Sequence, residues 1–470
     1  MVNVVFLSLT KVSLEFMQRK LSARHMQMIA LGGTIGVGLF MGATSTIKWT
    51  GPSVLLAYGI AGIFLYLIMR ALGEMLYVDP ATGSFAKFAS EYMHPVFGYL
   101  TAWSNVFQFV VVGMSEMIAI GEYFKFWWPN LPGWLPGLIA ITTLVCANLI
   151  SVRMFGEMEF WFALIKVVTI ILMIVAGLGV IIFGIGHGGK PVGISNLWTH
   201  GGFFTGGVKG FFFALAIVLG SYQGVELLGI TAGEAENPRP TIVKAVKDTV
   251  GRILIFYVGA IFVIVSIYPW NQLSAIGSPF VQTFSKIGIT FAAALINFVV
   301  ITAALSGANS GIYSASRMLY TLAEEKQLPK KFKLLNRHGV PLYPVLLVGL
   351  GIGLGVLLNA LLPLIAPAAG NVFVMVYSSS VLPGMVPWVV ILVSETQFRK
   401  VHADKMAQHP FKMPGAPYTN YLTLAFLALT LVFMILNPET RISLGIGVIY
   451  LVIIVLIYFK KTSSSCRLTT

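Results

Sequence analysis

The chain has 470 residues, of which 57% are hydrophobic and 10% charged, with a mean hydropathy of +0.85. An ordinary soluble domain carries about 25% charged residues, so a soluble globular fold is excluded and a polytopic membrane protein is implied. The formal net charge of +14 raises nucleic acid as a partner, but the placement of the basic residues argues against it.

Crossing ~30 Å of hydrocarbon takes about 20 helical residues, and about twelve apolar runs of that kind follow one another along the chain. They lie at 27–47, 53–73, 98–126, 134–151, 160–184, 210–231, 251–270, 287–321, 342–363, 372–396, 419–436 and 442–460. The eighth is long enough to extend past the membrane. The longest polar segments, around 74–97, 185–209, 232–250, 322–341 and 397–418, are too short for a soluble domain. One membrane domain, 27–460, is therefore expected between an N-terminal segment, 1–26, and a tail, 461–470. Residues 1–16 carry neither a charged n-region nor a small-residue cleavage site, so no signal peptide is read; Met17 opens the basic leader "MQRKLSARHM" and is a second possible start.

With the N-terminus placed inside, one side of the membrane receives Lys11, Arg19, Lys20 and Arg24, then Arg239, Lys244, Lys247 and Arg252. The same side receives Arg317 through Arg337, Arg399 to Lys412, and Lys460, Lys461 and Arg467. The other side receives Lys48, Lys125, Lys190, Lys209, Lys286 and Arg441. This asymmetry is a topology signal and predicts that both termini are cytoplasmic. Cys146, in a run, and Cys466, in the tail, differ too much in expected depth to pair, so neither a disulfide nor a thiolate metal site is implied.

The first run contains "LGGTIGVGLFMG", Leu31 to Gly42, where glycine weakens a helix by roughly 1 kcal/mol per residue relative to alanine. A second glycine-interrupted stretch, "LGSYQGVELLG", opens the sixth run five spans later. Glycine in membrane helices also serves close packing. The matching positions favour two broken helices in an inverted repeat with a substrate site at its interface, and the last two spans outside it. Gly33, Gly36 and Gly38 then free backbone N–H groups for a carboxylate. Gly220 and Gly224 free carbonyls that, with Tyr222 and Gln223, accept from an ammonium group. Together the two breaks describe an α-amino acid. The spacing G-x-x-G-x-G matches no phosphate-binding motif, HExxH is absent, and the histidines form no ligand cluster.

Ionisable residues inside spans are functional hypotheses by default. Lys166 stands about a third of the way into the fifth run; a desolvated lysine there exchanges a proton or replaces a bound sodium ion, the alternative being snorkelling to the interface. Glu116 lies near the middle of the third run, with Glu122 nearer its outer end, and Glu226 stands two residues beyond Gly224. Glu157 and Glu159 lie at the mouth of the fifth run, where an ion pair is an equal alternative. Asn309 and Ser310 either line the inner face of the eighth run or bond neighbouring helices. "FWWPN" at 126–130 and "YPWNQ" at 268–272 fit an aromatic belt.

The motifs "GGTIGVGLFMG", "GPSVLLAYGIAGIFLYLIMRALGEMLYVDP", "GEMEFWFALIKV", "SYQGVELLGITAGEAENPR" and "NSGIYSASRMLYTLA" resemble those of the amino acid–polyamine–organocation superfamily, specifically its bacterial amino acid permeases. The resemblance runs from about Leu21 to Lys461. It implies an all-α, LeuT-like fold of twelve transmembrane helices: a five-plus-five inverted repeat with discontinuous helices 1 and 6 and two added helices. It implies proton-coupled amino acid import across the cell membrane, with no cofactor beyond the coupling proton. By the same resemblance, Thr34, Ile35, Gly36, Val37 and Gly38 bind the substrate carboxylate, and Gly220, Ser221, Tyr222, Gln223 and Gly224 its amine. The resemblance also links Lys166 to proton coupling and marks Glu116 and Glu157 as important charged residues expected to share in it; from their places in the sequence, Glu226 is a further coupling candidate and Asn309 a candidate substrate contact. Threonine or serine is the expected substrate and proline the next, with exchange or another amino acid (histidine, aromatic, GABA) as the alternative. A channel is disfavoured by sparse intramembrane charge, and an enzyme by the lack of a nucleophile or metal constellation. Oligomeric state is left open.

Overall fold

The computed structural model describes residues 28, 35–79, 84–231, 238–273, 278–281, 290–365, 372–406 and 408–466. Inside lipid a backbone must satisfy its own hydrogen bonds, and this apolar chain does so as helices. Among the described residues the extended pairing is a single bridge between Leu335 and Pro341.

The first span comprises Val37–Phe40 and Gly42–Thr50, and a short turn at Gly51–Ser53 leads into the second, Val54–Val78. A short helix, Ser84–Tyr92, precedes the third span, Pro95–Phe124. The fourth and fifth are Trp134–Ile150 and Val152–Phe183; the sixth is Gly207–Tyr222 followed by Leu227–Thr231. Pro238–Ile267, Thr290–Glu324 and Leu342–Ile365 form the seventh to ninth. The tenth is split into Val372–Ser379 and Val381–Val401, and Tyr418–Leu436 and Arg441–Cys466 end the series. Eight continuous stretches among the described residues are long and apolar enough to cross a bilayer, and the first of them, 42 residues from Val37 to Val78, holds two spans. The shorter apolar helices Trp134–Ile150, Gly207–Tyr222 and Leu254–Ile267 complete the twelve.

Helix limits depart from the hydropathy limits where polar residues extend a helix beyond its apolar part. The fifth begins at Val152 rather than near 160, because Ser151 Oγ caps it by accepting the Met154 N–H at 3.0 Å. The seventh begins at Pro238 rather than 251, with a proline whose fixed φ suits a first turn. The twelfth continues to Cys466, into the segment read as a tail.

The first span packs on the sixth and the second on the sixth and seventh, while the third packs on the eighth and ninth and the fourth on the ninth. The fifth touches both the seventh and eighth, and the tenth both the second and third. The most extensive interfaces are third with eighth and second with seventh. Those are the equivalent members of two five-span repeats, which a two-fold between repeats brings face to face. The eleventh and twelfth spans are peripheral: 33% and 22% of their apolar windows are buried, against 78% in the third, eighth and tenth. Leu350, Leu354, Leu357 and Leu361 form an exposed stripe at helical spacing on the ninth, facing where lipid would lie.

One end of the bundle is fastened by ion pairs. Arg399 of the tenth span donates from Nε to Glu74 Oε1 at 2.8 Å and from Nη2 to Glu74 Oε2 at 2.5 Å, and its Nε also reaches Glu395 Oε1 at 2.5 Å. Both carboxylates are fully buried. The segment before the eleventh span joins this knot: Met413 N donates to Glu74 Oε2 at 2.5 Å, His409 bonds the Glu74 carbonyl at 3.1 Å, and the Arg70 guanidinium stacks 3.7 Å from the Phe411 ring centroid.

Candidate functional site

The two glycine-rich breaks meet. Ile35 is outside any helix, Gly36 is extended at φ −128°, ψ −160°, and helix starts at Val37. In the sixth span the helix stops at Tyr222, and Gly224 takes φ +103°, a conformation that L side chains rarely adopt. The glycines also allow close approach: a Cβ on Gly36 would lie 2.6 Å from Glu116 Oε1, and one on Gly38 would lie 2.9 Å from Ser221 Cα and run into the Tyr377 hydroxyl. Between the breaks is a cavity of ≈ 20 Å³ lined by Gly36, Gly38, Gln108, Glu116, Ser221 and Tyr377, among others. That is room for about one water, far below the ~300–1,000 Å³ of small-molecule pockets. The site is closed in this conformation, and the helices must separate to admit a substrate.

The third span and the sixth-span break supply the acceptors. Glu116 Oε1 receives the Val37 N–H at 3.4 Å, while Glu116 Oε2 is buried with no partner among the described residues. Gln108 Nε2 donates to Glu226 Oε1 at 2.8 Å, and Glu226 Oε2 receives the Gly224 N–H at 3.0 Å and Trp388 Nε1 at 3.2 Å. Gln223 Nε2 donates to the Val381 carbonyl at 3.1 Å. The Oε1 atoms of Gln108 and Gln223 are buried without a partner among the described residues, so three unpaired acceptor oxygens belong to residues lining one small space. Such groups are costly until a donor arrives.

A second network lies behind the first break. Lys166 is fully buried and donates from Nζ to the Ile35 carbonyl at 3.0 Å and to Ser306 Oγ at 2.8 Å. Ser306 donates in turn to Glu159 Oε1 at 2.5 Å, and Asn309 bridges Glu159 Oε2, at 3.4 Å, and Asn148, at 2.8 Å. The lysine thus ties the unwound backbone of the first span to a buried carboxylate through the eighth.

Of the residues singled out from sequence, Gly36, Gly38, Glu116, Gly220, Ser221 and Gln223 line the cavity. Ile35 and Val37 touch the site through backbone atoms, and Glu226 and Gly224 brace it through Gln108. Thr34 and Gly33 lie outside the described residues. Tyr222 points away, donating to the Tyr58 carbonyl at 3.0 Å, and Asn309 belongs to the lysine network rather than the cavity wall. Snorkelling of Lys166 does not occur, because the earlier helix start places it midway along the fifth helix, fully buried. Glu157 is half-buried beside a groove lined by Met154, Met158 and Trp161, and Glu159, two residues on, enters the lysine network through Ser306 and Asn309.

Residues 25–467 match the amino acid permease family. A Bacillus subtilis (strain 168) protein named "Probable threonine/serine transporter YbxG" is 62% identical over 94% of this chain and 95% of its own. The chain belongs to the amino acid permease family. "Uncharacterized amino acid permease YtnA" from the same organism is 45% identical over 95% of each chain. The permease also resembles the crystal structure of the Eremococcus coleocola manganese transporter in complex with an aromatic bis-isothiourea substituted compound, with TM-score 0.63 and 13% identity over 92% of this chain and 94% of that one. At that identity the likeness speaks for the fold, and the permease has the five-plus-five LeuT-like architecture.

Gln108, Tyr377, Gly307 and Ser306 carry no mark in the sequence of the permease, since each is an ordinary small or polar residue in an apolar helix. Only the structure shows why position 307 is glycine: a Cβ there would run into the Glu116 carboxylate.

Proposed function

We propose that the permease is a secondary active importer of a small neutral L-amino acid, threonine or serine first and proline next, driven by a proton. The observation that carries this reading is the pairing of two opposed helix breaks with unpaired acceptors on the residues around them. The N–H groups following Gly36 suit a carboxylate. The opened backbone at Gly220–Gly224, with Glu116 Oε2 and Gln223 Oε1, suits an ammonium group. The substrate range draws on the relative named for threonine and serine.

Proton coupling is assigned to Lys166, Glu116 and Glu226. Lys166 holds the Ile35 carbonyl by a charge-assisted hydrogen bond, so loss of its proton would weaken its hold on the first break and link protonation to helix movement. Both termini are assigned to the cytoplasm on the basic-residue asymmetry.

The test is uptake of labelled threonine by proteoliposomes under an imposed pH gradient, competed by the full set of amino acids. Accumulation is expected to collapse with a protonophore and to survive sodium removal, and Lys166→Met is expected to abolish accumulation while counterflow persists. Sodium dependence without a pH effect would overturn the proton assignment. Counterflow without gradient-driven accumulation would make the protein an exchanger. Lack of competition by threonine, serine and proline would overturn the substrate.

A further inference from the structure

Gln108 occupies a position that the backbone-recognition scheme above leaves without a task. It is fully buried on the unbroken third span and lines the closed cavity. Its amide is oriented by chemistry: Nε2 donates a hydrogen bond to Glu226 Oε1, and Glu226 Oε2 is occupied by the Gly224 N–H and the Trp388 indole. The amide nitrogen is therefore committed to the carboxylate, and Oε1 is the end that stays free, buried without a partner among the described residues.

Gln108, Val112 and Glu116 stand at i, i+4 and i+8 on one face of the helix, and all three line the cavity. The Glu116 end abuts the first break through the Val37 N–H, and the Gln108 end abuts the sixth through Glu226. Val112 and Phe109 supply the apolar wall between them. A substrate whose charged groups occupy the breaks, its ammonium at Glu116 and Gln223, has its side chain left to meet Val112 and Phe109 and, beside them, the Gln108 acceptor.

We propose that Gln108 Oε1 is the specificity element of the permease, accepting a hydrogen bond from a side-chain hydroxyl and so selecting hydroxyl-bearing amino acids over apolar isosteres. The inference rests on the reading of the protein as an amino acid importer and adds the atom that reads the side chain. Valine has the shape of threonine without the donor, and bound there it leaves Oε1 buried and unpaired; sites built to bond a substrate hydroxyl reject such analogues strongly. Gln223 Oε1 is also unpaired, but it belongs to the break itself, where the ammonium is expected.

The experiment measures uptake of labelled alanine in proteoliposomes and its inhibition by unlabelled threonine and by valine, for the wild-type chain, Gln108→Met, Gln108→Leu and Gln223→Met. Both inhibition constants come from one preparation, so their ratio is independent of the amount of active protein. Where a variant has lost uptake, competition for equilibrium binding to the purified protein gives the same ratio. Expected is a preference for threonine over valine in the wild type that falls at least tenfold in both Gln108 variants and persists in Gln223→Met. An unchanged ratio in the Gln108 variants, equal weakening of both competitors, or loss of the preference in Gln223→Met alone would overturn the assignment. Alanine uptake with no threonine preference in the wild type would overturn it too while leaving amino acid transport standing. Absence of any amino acid uptake or binding would remove the reading on which it rests.

Discussion

Gly38→Ala adds a single methyl group where the first break approaches the backbone of the sixth span. The new Cβ would lie 2.9 Å from Ser221 Cα, whereas ordinary carbon contact begins at about 3.4 Å, so the backbones must part by roughly half an ångström. The Cβ would also run into the Tyr377 hydroxyl and lie 3.0 Å from Tyr377 Cζ, a buried ring, and the Ser221 Cα is backbone, which cannot rotate aside. Overpacking of this kind costs about 1–3 kcal/mol, which corresponds to roughly a fivefold to 150-fold loss in the population of the closed conformation. A transporter that must pass through closure will slow by a comparable factor. The assay is the initial rate of amino acid uptake in proteoliposomes, normalised to reconstituted protein, with Gly353→Ala as control because a Cβ there meets nothing within 4 Å. Wild-type uptake by Gly38→Ala would refute the idea that the first and sixth spans close on each other during transport and would return the glycine to packing alone.

The ion-pair knot and its histidine make two further predictions. Arg399→Met leaves Glu74 and Glu395 buried without their cation, a change worth about 3–5 kcal/mol where one partner of a buried pair is removed. The melting temperature in detergent should fall by several degrees, and an unchanged value would show that water already reaches these carboxylates. His409 lies outside the spans; its Nδ1 accepts the Phe411 N–H at 3.1 Å and its Nε2 faces the Glu74 carbonyl at 3.1 Å, which is the pattern of a neutral ring. Burial pulls its pKa below the ordinary 6.5. The folded state then binds this proton less readily than the unfolded state, so the contribution is complete above pH 6.5 and is lost as pH falls below it. Melting curves between pH 7.5 and 5.0 should show this decline, and His409→Asn should flatten it; an equal decline in both proteins would assign the effect elsewhere.

The membrane class, the twelve spans and the two breaks were all legible in the chain, because hydropathy and glycine placement are local properties. An apolar run of the right length has one stable form in lipid, and glycines at matching places in two halves betray the repeat. Lys166 and Glu116 were visible for a related reason, since a charge in an apolar run stands out wherever the chain later takes it. What each of these groups faces was decided only by tertiary structure. Lys166 meets the carbonyl of Ile35, 131 positions away, and Ser306, 140 away, so no window of sequence contains the contact. Helix phase turns Glu159 towards Ser306 and Asn309, and an earlier helix start, capped by Ser151, puts Lys166 midway along its helix. Gln108 is the extreme case. Nothing in "NVFQFVVVG" distinguishes its amide from polar packing. Only the fold brings Glu226 to its nitrogen and leaves its oxygen buried and unpaired beside the cavity, because a hydrogen bond depends on position in space and not on distance along the chain.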